Sequence, residues 1–364
     1  MLNISITKPT LLLDQKKCKA NIRKMADKAN AAGATFRPHF KTHQSGVVGR
    51  WFREVGVKSI TVSSVSMAKY FADHGWDDIC IAFPVNLLEI DYINQLAEHV
   101  NLTLLVESVE SVHELGKSIK HPINVYIKID VGAQRSGIHV SDAGSVVNLS
   151  NCIMEYEKLH LKGLLTHAGQ TYMARGKESI KNITYQAFEA MNKLQELLQD
   201  DSLLLSWGDT PSCSMLDSLP TFNEWRPGNF VFYDVMQYHI GSCGMHEIAV
   251  AMACPVVALH PERNQAVIYG GAIHFSKENI AAENGFRLYG YVVELHDDGW
   301  SEPVPGAWLS ALSQEHGIIT FPPGYLHMIK PGSIIGVLPV HSCLTVSCMK
   351  EMHTLSNQIV PCMK

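Results

Sequence analysis

Lys41 lies in the run Arg37-Pro38-His39-Phe40-Lys41-Thr42-His43, at the end of a short apolar segment that reads as a strand. A lysine at a strand end, partly desolvated and flanked by an arginine and two histidines, can lose its proton and attack a carbonyl. A lysine taken blind is a solvated surface residue, and the polar neighbours on this strand argue against that reading here. A second pair, His341-x-Cys343, follows the apolar run 334–340. On a strand, residues two apart point to one side, so imidazole and thiolate would share an ion, and that donor pair prefers zinc. The competing reading is two half-buried strand residues with a packing role. Two protein ligands do not close a structural zinc site, so an ion held here would keep open positions for a substrate. Polar clusters also follow other candidate strands: Ser63-Ser64, Asp130 to Arg135, His167 to Tyr172, and Gly208 to Ser212.

The elements that would position these residues are short β-branched runs alternating with helical segments, the pattern of parallel βα units. Eight strands are expected at 34–39, 60–64, 78–84, 102–107, 124–130, 161–167, 203–207 and 230–233. The first helix spans 14–32, with Asp14 as N-cap, Gly33 as stop, and Leu12, Ile22 and Met25 as apolar positions. Eight units suit a (β/α)8 barrel of the TIM type, with a doubly wound open sheet as the competitor. In a barrel the C-terminal strand ends converge on one mouth; five polar clusters at such ends favour convergence. After Tyr238 the pattern changes to strands without helices, at 266–269, 290–294, 318–321 and 334–338, separated by Asp298-Gly299, Pro323-Gly324 and Pro331-Gly332 turns. The expected organisation is a barrel over 14–240 and an all-β domain from 1–13 and 241–364, with a strand at 2–7 joining it.

Composition narrows the function classes. The 364 residues include 46% hydrophobic and 18% charged side chains, which excludes a disordered chain. Asp and Glu (35) outnumber Lys and Arg (30), giving a net charge of -5, and this argues against a nucleic-acid partner. No apolar stretch approaches the roughly 18 residues of a membrane span, and the N-terminus lacks a signal-peptide pattern. Nine scattered cysteines, an odd number, suit a reducing, cytoplasmic setting better than a disulfide framework.

The ordered set of motifs resembles a known family. Thr7-Lys8-Pro9-Thr10, Arg37-Pro38-His39 with Lys41-Thr42-His43, Asp130-Val131-Gly132 with Arg135 and Gly137, and His167 to Tyr172 look like the metal-activated D-threonine aldolases and D-serine dehydratases. Gly208 to Ser212, Arg226-Pro227-Gly228-Asn229, Glu315-His316-Gly317 and His341-Ser342-Cys343 continue the resemblance along nearly the whole chain. These are alanine-racemase-like, fold type III enzymes that use pyridoxal 5'-phosphate. The resemblance implies that Lys41 carries the cofactor as a Schiff base and takes the substrate α-proton, with Arg135 near the ring oxygen. It places His167 and Tyr172 against the ring, Arg226 at the pyridine nitrogen as in alanine racemases, and Thr210, Gly228 and Asn229 at the phosphate. It makes His341 and Cys343 ligands of Zn2+ or another divalent metal. Relatives often carry Tyr at the position of Phe230 and Asn at that of Val340, so no phosphate-binding hydroxyl is assumed at 230.

Three reactions on D-amino acids follow. Dehydration of a D-3-hydroxyamino acid, D-serine first, would use the metal as Lewis acid on the β-hydroxyl and yield a 2-oxo acid and ammonia. Retro-aldol cleavage of D-threonine would use the same metal with His167 as base. Racemisation needs a second base and no metal. A cysteine at the second ligand position favours dehydration, since aldolases often have aspartate there. A non-catalytic cofactor-carrying barrel would not need the β domain. The resemblance also implies a homodimer.

Overall fold

Asp14 ends one element and starts the next. In the computed structural model, which describes residues 4–281 and 285–364, the strand Thr10–Leu13 runs into the helix Gln15–Ala31. The Asp14 Oδ1 accepts the backbone N–H groups of Lys16 and Lys17 at 2.9 and 3.1 Å, and Gly33, at φ 67°, stops the helix. The expected N-cap and stop are therefore both present.

The chain divides into two compact units. One comprises Arg23–Lys41 and Phe52–Gly228. It holds eight parallel strands in the order Thr35–Phe36, Glu224–Trp225, Leu204–Gly208, Leu159–His167, Ile123–Asp130, Asn101–Val106, Asp78–Pro84 and Ile60–Val62. A parallel bridge from His39 to Thr61 joins the last of these to the first and closes the ring. The (β/α)8 barrel is thus the fold, and the open sheet is excluded. The second strand to the seventh lie where the apolar runs put them. The first is shorter than 34–39, with regular pairing only at Thr35–Phe36. The eighth is not 230–233 but Glu224–Trp225; Asn229–Val231 form a 3-10 turn. Phe230, Phe232 and Tyr233 are buried all the same, so their apolarity reports burial and not extended backbone.

The ring interior is charged. Arg37 donates to Glu224 Oε2 through Nε at 2.5 Å and to both Asp78 oxygens at 2.8 and 3.2 Å. Tyr126 Oη and Ser206 Oγ donate to Glu224 Oε1 at 3.3 and 2.5 Å. Every buried charge here has partners, the condition under which such groups are tolerated.

The other unit comprises Thr42–Trp51, Asn229–Lys364 and the chain up to Ile22. Six antiparallel strands close on themselves in the order Gln265–Tyr269, His316–Thr320, Trp308–Leu312, Gly290–Val293, Ile334–Pro339 and Val250–His260. Closure leaves few free edges. Thr10–Leu13 pairs with Val250–His260, and Glu351–Thr354 and Ile359–Pro361 extend the sheet beyond it. The N-terminal strand is therefore Thr10–Leu13; of the expected strand at 2–7, residues 4–7 are not extended sheet and the others lie outside the described residues. Among the described residues no helix is long and apolar enough to cross a membrane.

Candidate active site

On the first barrel strand and its continuation lie Arg37 and His39, with Lys41 in the turn that follows. Arg37 is locked in the ring's ion pairs, so it is no free cation beside Lys41. His39 accepts the Lys41 backbone N–H on Nδ1 at 3.3 Å. Lys41 itself is exposed at the rim. Between them Phe40 faces outward, its ring 4.9 Å from those of Phe52 and Phe71 and 5.1 Å from Trp76, which anchors the segment carrying the lysine.

His167 ends the sixth strand. Its Nδ1 lies 2.5 Å from the Gly208 carbonyl and donates to it, leaving Nε2 as the acceptor. Burial, then the positive charges of Lys41, Arg135 and Arg226, hold its pKa well below the usual histidine value. His39 is depressed in the same way, by burial and then by Lys41, Arg226, His167 and Arg135. Three cations thus act on one neutral imidazole pair, which gathers Lys41, Arg135, His167 and Arg226 into one cluster.

Arg135 is carried by a loop wound around Asp130, whose Oδ1 accepts the N–H groups of Gly132, Ala133 and Gln134 at 2.9, 2.8 and 3.2 Å. Gly137, at φ 104°, closes that loop; a Cβ there would lie 2.8 Å from the Lys128 carbonyl. Arg226 leaves the eighth strand buried, donating to Ser206 Oγ at 2.9 Å and to the Thr166 carbonyl at 2.5 Å. Tyr172 sits on the 3-10 turn Gly169–Tyr172, its ring 5.9 Å from His167, and its hydroxyl accepts the Thr210 N–H at 3.3 Å. Thr210 opens the helix Thr210–Met215 after the Asp209 N-cap, and its buried Oγ1 has no hydrogen-bond partner. Gly228 follows the eighth strand, where the Pro227 carbonyl accepts the His39 N–H at 2.9 Å.

His341 and Cys343 belong to the other unit. They are not on a strand: Ile334–Pro339 ends before them, His341 is the N-cap of the helix Ser342–Met349, and Cys343 lies in its first turn. Helical curvature, not the pleat, brings imidazole and thiol together. Burial pushes the His341 pKa down, but the hydrogen bond and charge of Cys343, with Asp234 and Glu278, carry it up to about 9. Cys343 Sγ is 3.2 Å from Thr42 Oγ1 and 3.6 Å from Asn229 Nδ2. Asp234 organises the surroundings. Its Oδ2 accepts from Asn229 Nδ2 at 2.6 Å and from Ser342 N at 3.0 Å, while Oδ1 caps Val235–Ile240 through Gln237 N. Asn229 thus serves the His341–Cys343 cluster through Nδ2, while its buried Oδ1 is unpartnered.

Sequence reasoning missed Asp234 as part of these clusters and gave Thr42 and His39 no role beyond flanking Lys41. Asp234 had a signal, an aspartate three residues before Gln237 at a helix start. Thr42 and His39 had only their place beside Lys41.

A family model for the alanine racemase N-terminal domain matches residues 13–235, and one for a putative serine dehydratase domain matches 249–355. The chain is 26% identical to D-threo-3-hydroxyaspartate dehydratase of Delftia sp. (strain HT23), over 94% of this chain and 92% of that one. It is 27% identical to D-serine dehydratase of Dictyostelium discoideum, over 97% and 94%. The solved structure of the Delftia enzyme superposes with a TM-score of 0.90 at 24% identity, covering 99% of this chain and 98% of that one. With more than half its length matched, the chain belongs to the alanine racemase N-terminal domain family, in the branch that carries the serine dehydratase domain.

Proposed function

We propose that the protein is a pyridoxal-phosphate- and zinc-dependent lyase of D-3-hydroxyamino acids, a homodimer that dehydrates D-serine or a close analogue to a 2-oxo acid and ammonia. The observation that carries this reading is the His341–Cys343 pair, a soft and a borderline donor already hydrogen-bonded to one another. Nine free cysteines support work in a reducing compartment.

The residues suit both groups. Lys41, Arg135 and Arg226 supply positive charge for an anionic cofactor, and the unpartnered Thr210 hydroxyl is a donor in search of an acceptor such as a phosphate oxygen. Gly228 leaves room for an anion beside its backbone N–H. Asn229 and Asp234 are arranged to orient metal ligands. When bound, pyridoxal phosphate supplies the sink for the electrons left at the α-carbon, and the metal the Lewis acid at the β-oxygen.

The chain's own groups do the rest. Lys41 would hold the cofactor through Nζ, and the same Nζ would take the α-proton. His39 fixes the backbone that presents Lys41. Arg226, a buried guanidinium, would keep a proton away from the pyridine nitrogen of a bound cofactor. Tyr172 and His167 would wall a bound ring, and His167 remains neutral because it is buried and faces the positive charges of Lys41, Arg135 and Arg226.

Retro-aldol cleavage is the second reading, favoured by one feature: with Nδ1 committed to Gly208, the neutral His167 offers Nε2 as a base for a β-hydroxyl proton. Product analysis on D-serine and D-threonine separates the two. Pyruvate from D-serine, abolished by chelator and restored by zinc, is the expected result. Glycine and acetaldehyde from D-threonine without pyruvate from D-serine would replace dehydration by aldol cleavage, and activity untouched by chelation would remove the metal.

A further inference from the structure

Away from both clusters, three side chains of the metal-binding type converge on the outer helices of the barrel. His113 stands on the helix Val109–Ser118, Cys152 on the helix Ala143–Met154, and Glu155 is the C-cap of the latter. Cys152 and Glu155 are three residues apart, hence on one face. One ligand atom of each lies within 4.8 Å of the other two. Cys152 Sγ is 3.6 Å from His113 Nδ1 and 3.9 Å from Nε2. Zinc bonds of about 2.3 Å to sulfur and about 2.0 Å to nitrogen at a tetrahedral angle put those donors roughly 3.6 Å apart. The Nε2 distance is within a few tenths of an ångström of a coordinated pair's.

The imidazole is also oriented. Tyr156 Oη lies 2.8 Å from His113 Nδ1, so Nδ1–H can donate to the phenol and leave Nε2, 3.9 Å from the thiol, as the ring's ligand atom. Histidine ligands of metals regularly give their second nitrogen to such a partner. The tyrosine's seat is prepared: a Cβ on Gly116, inside Val109–Ser118, would lie 2.3 Å from Tyr156 Cδ1. Glycine is the weakest helix former after proline, and its presence mid-helix is explained by the ring lying across it. Cys152 is buried and Glu155 exposed, so the soft donor lies inside and the carboxylate faces solvent, with a fourth position open to water.

We propose that His113, Cys152 and Glu155 form a second, peripheral divalent-metal site of zinc type that clips Val109–Ser118 to Ala143–Met154. It is independent of His341 and Cys343 and of the reaction assigned above.

The test uses full-length protein carrying Cys343→Ala, stripped with chelator and titrated with Co2+ alone, read as a difference spectrum so that cofactor absorption cancels. One equivalent of Co2+ is expected to give a thiolate-to-cobalt charge-transfer band, displaced by Zn2+. Adding Cys152→Ser should abolish the band. Tyr156→Phe and Gly116→Ala keep all three ligands and should weaken Co2+ binding about tenfold with unchanged far-UV circular dichroism; they carry the test if Cys152→Ser fails to fold. No thiolate band in the Cys343→Ala protein, a band surviving Cys152→Ser, or parental affinity in Tyr156→Phe would overturn the proposal.

Discussion

Mild acid should destabilise this protein through its buried histidines. Burial pushes the His43 pKa down to about 3, and burial with neighbouring cations holds His39 and His167 well below the usual value. An unfolded histidine titrates near about 6.5. The folded values lie below the unfolded one, so the unfolded chain takes up protons first and stability falls as pH drops below about 6.5. Between about pH 6.5 and pH 5 the His43 shift alone removes about 1.6 kcal/mol, and His39 and His167 act in the same direction. The His43 contribution alone is roughly a tenth to a third of the stability of a typical domain, about 5–15 kcal/mol. His341 works in the opposite sense but elsewhere: its pKa is raised to about 9, so its contribution is complete below about 6.5 and is lost as pH rises toward about 9. Asp209 titrates in the same window in the opposite sense: burial raises its carboxyl to about 6, so its protonation in the folded state offsets part of the fall between about pH 6.5 and pH 5. Urea unfolding followed by tryptophan fluorescence, with chelator throughout, measures the fall. His43→Gln should reduce it by about 1.6 kcal/mol. A fall below about 1.5 kcal/mol, or a parental fall in His43→Gln, refutes the reasoning.

Three further outcomes are expected. Glu224→Ala leaves Arg37 buried with Asp78 as its remaining carboxylate and should cost about 3–5 kcal/mol in the same urea assay; a loss under about 1 kcal/mol would mean the pair is idle. Thr210→Val keeps the shape of the side chain and removes the unpartnered hydroxyl; pyridoxal phosphate affinity, read by absorbance titration, should fall about 10- to 100-fold, and an unchanged affinity would move the phosphate elsewhere. Borohydride reduction of the purified protein followed by peptide mapping should fix the cofactor on the 37–43 peptide, and a label on any other lysine would unseat Lys41.

What could be read in advance depended on how each element announces itself. The second to seventh barrel strands are apolar runs covered on both faces, and continuous hydrophobicity located them. Glu224–Trp225 is two residues long and turns a carboxylate into the ring, so no apolar run marks it, whereas 230–233 is apolar and buried without being a strand. The H-x-C pair showed its donor chemistry but not its geometry, because Ser342–Met349 is too short and too uniformly small and apolar to display helical spacing. The long strand Val250–His260, central to the second sheet, went unnoticed because it abuts the turn-rich region after Tyr238. The inward face of Arg37 was invisible for a different cause: its partners lie on the third and eighth strands, and single-sequence patterns are blind to such distant pairings.

That last pairing bears on how the barrel is assembled. Arg37 and Glu224 are 187 positions apart, and Asp78 joins them from a strand on the other side of Arg37. A half-built ring would leave either the guanidinium or the carboxylate facing low dielectric without its mate, a state far less favourable than an apolar seam left open. Partial barrels are therefore poor resting places, and the chain must gather its first and last strands before the interior is worth drying. Long-range closure of this kind slows folding and makes it more nearly all-or-none. The same charge that would be wasted in a fragment acts, in the whole chain, as a lock that engages only when the circle is complete.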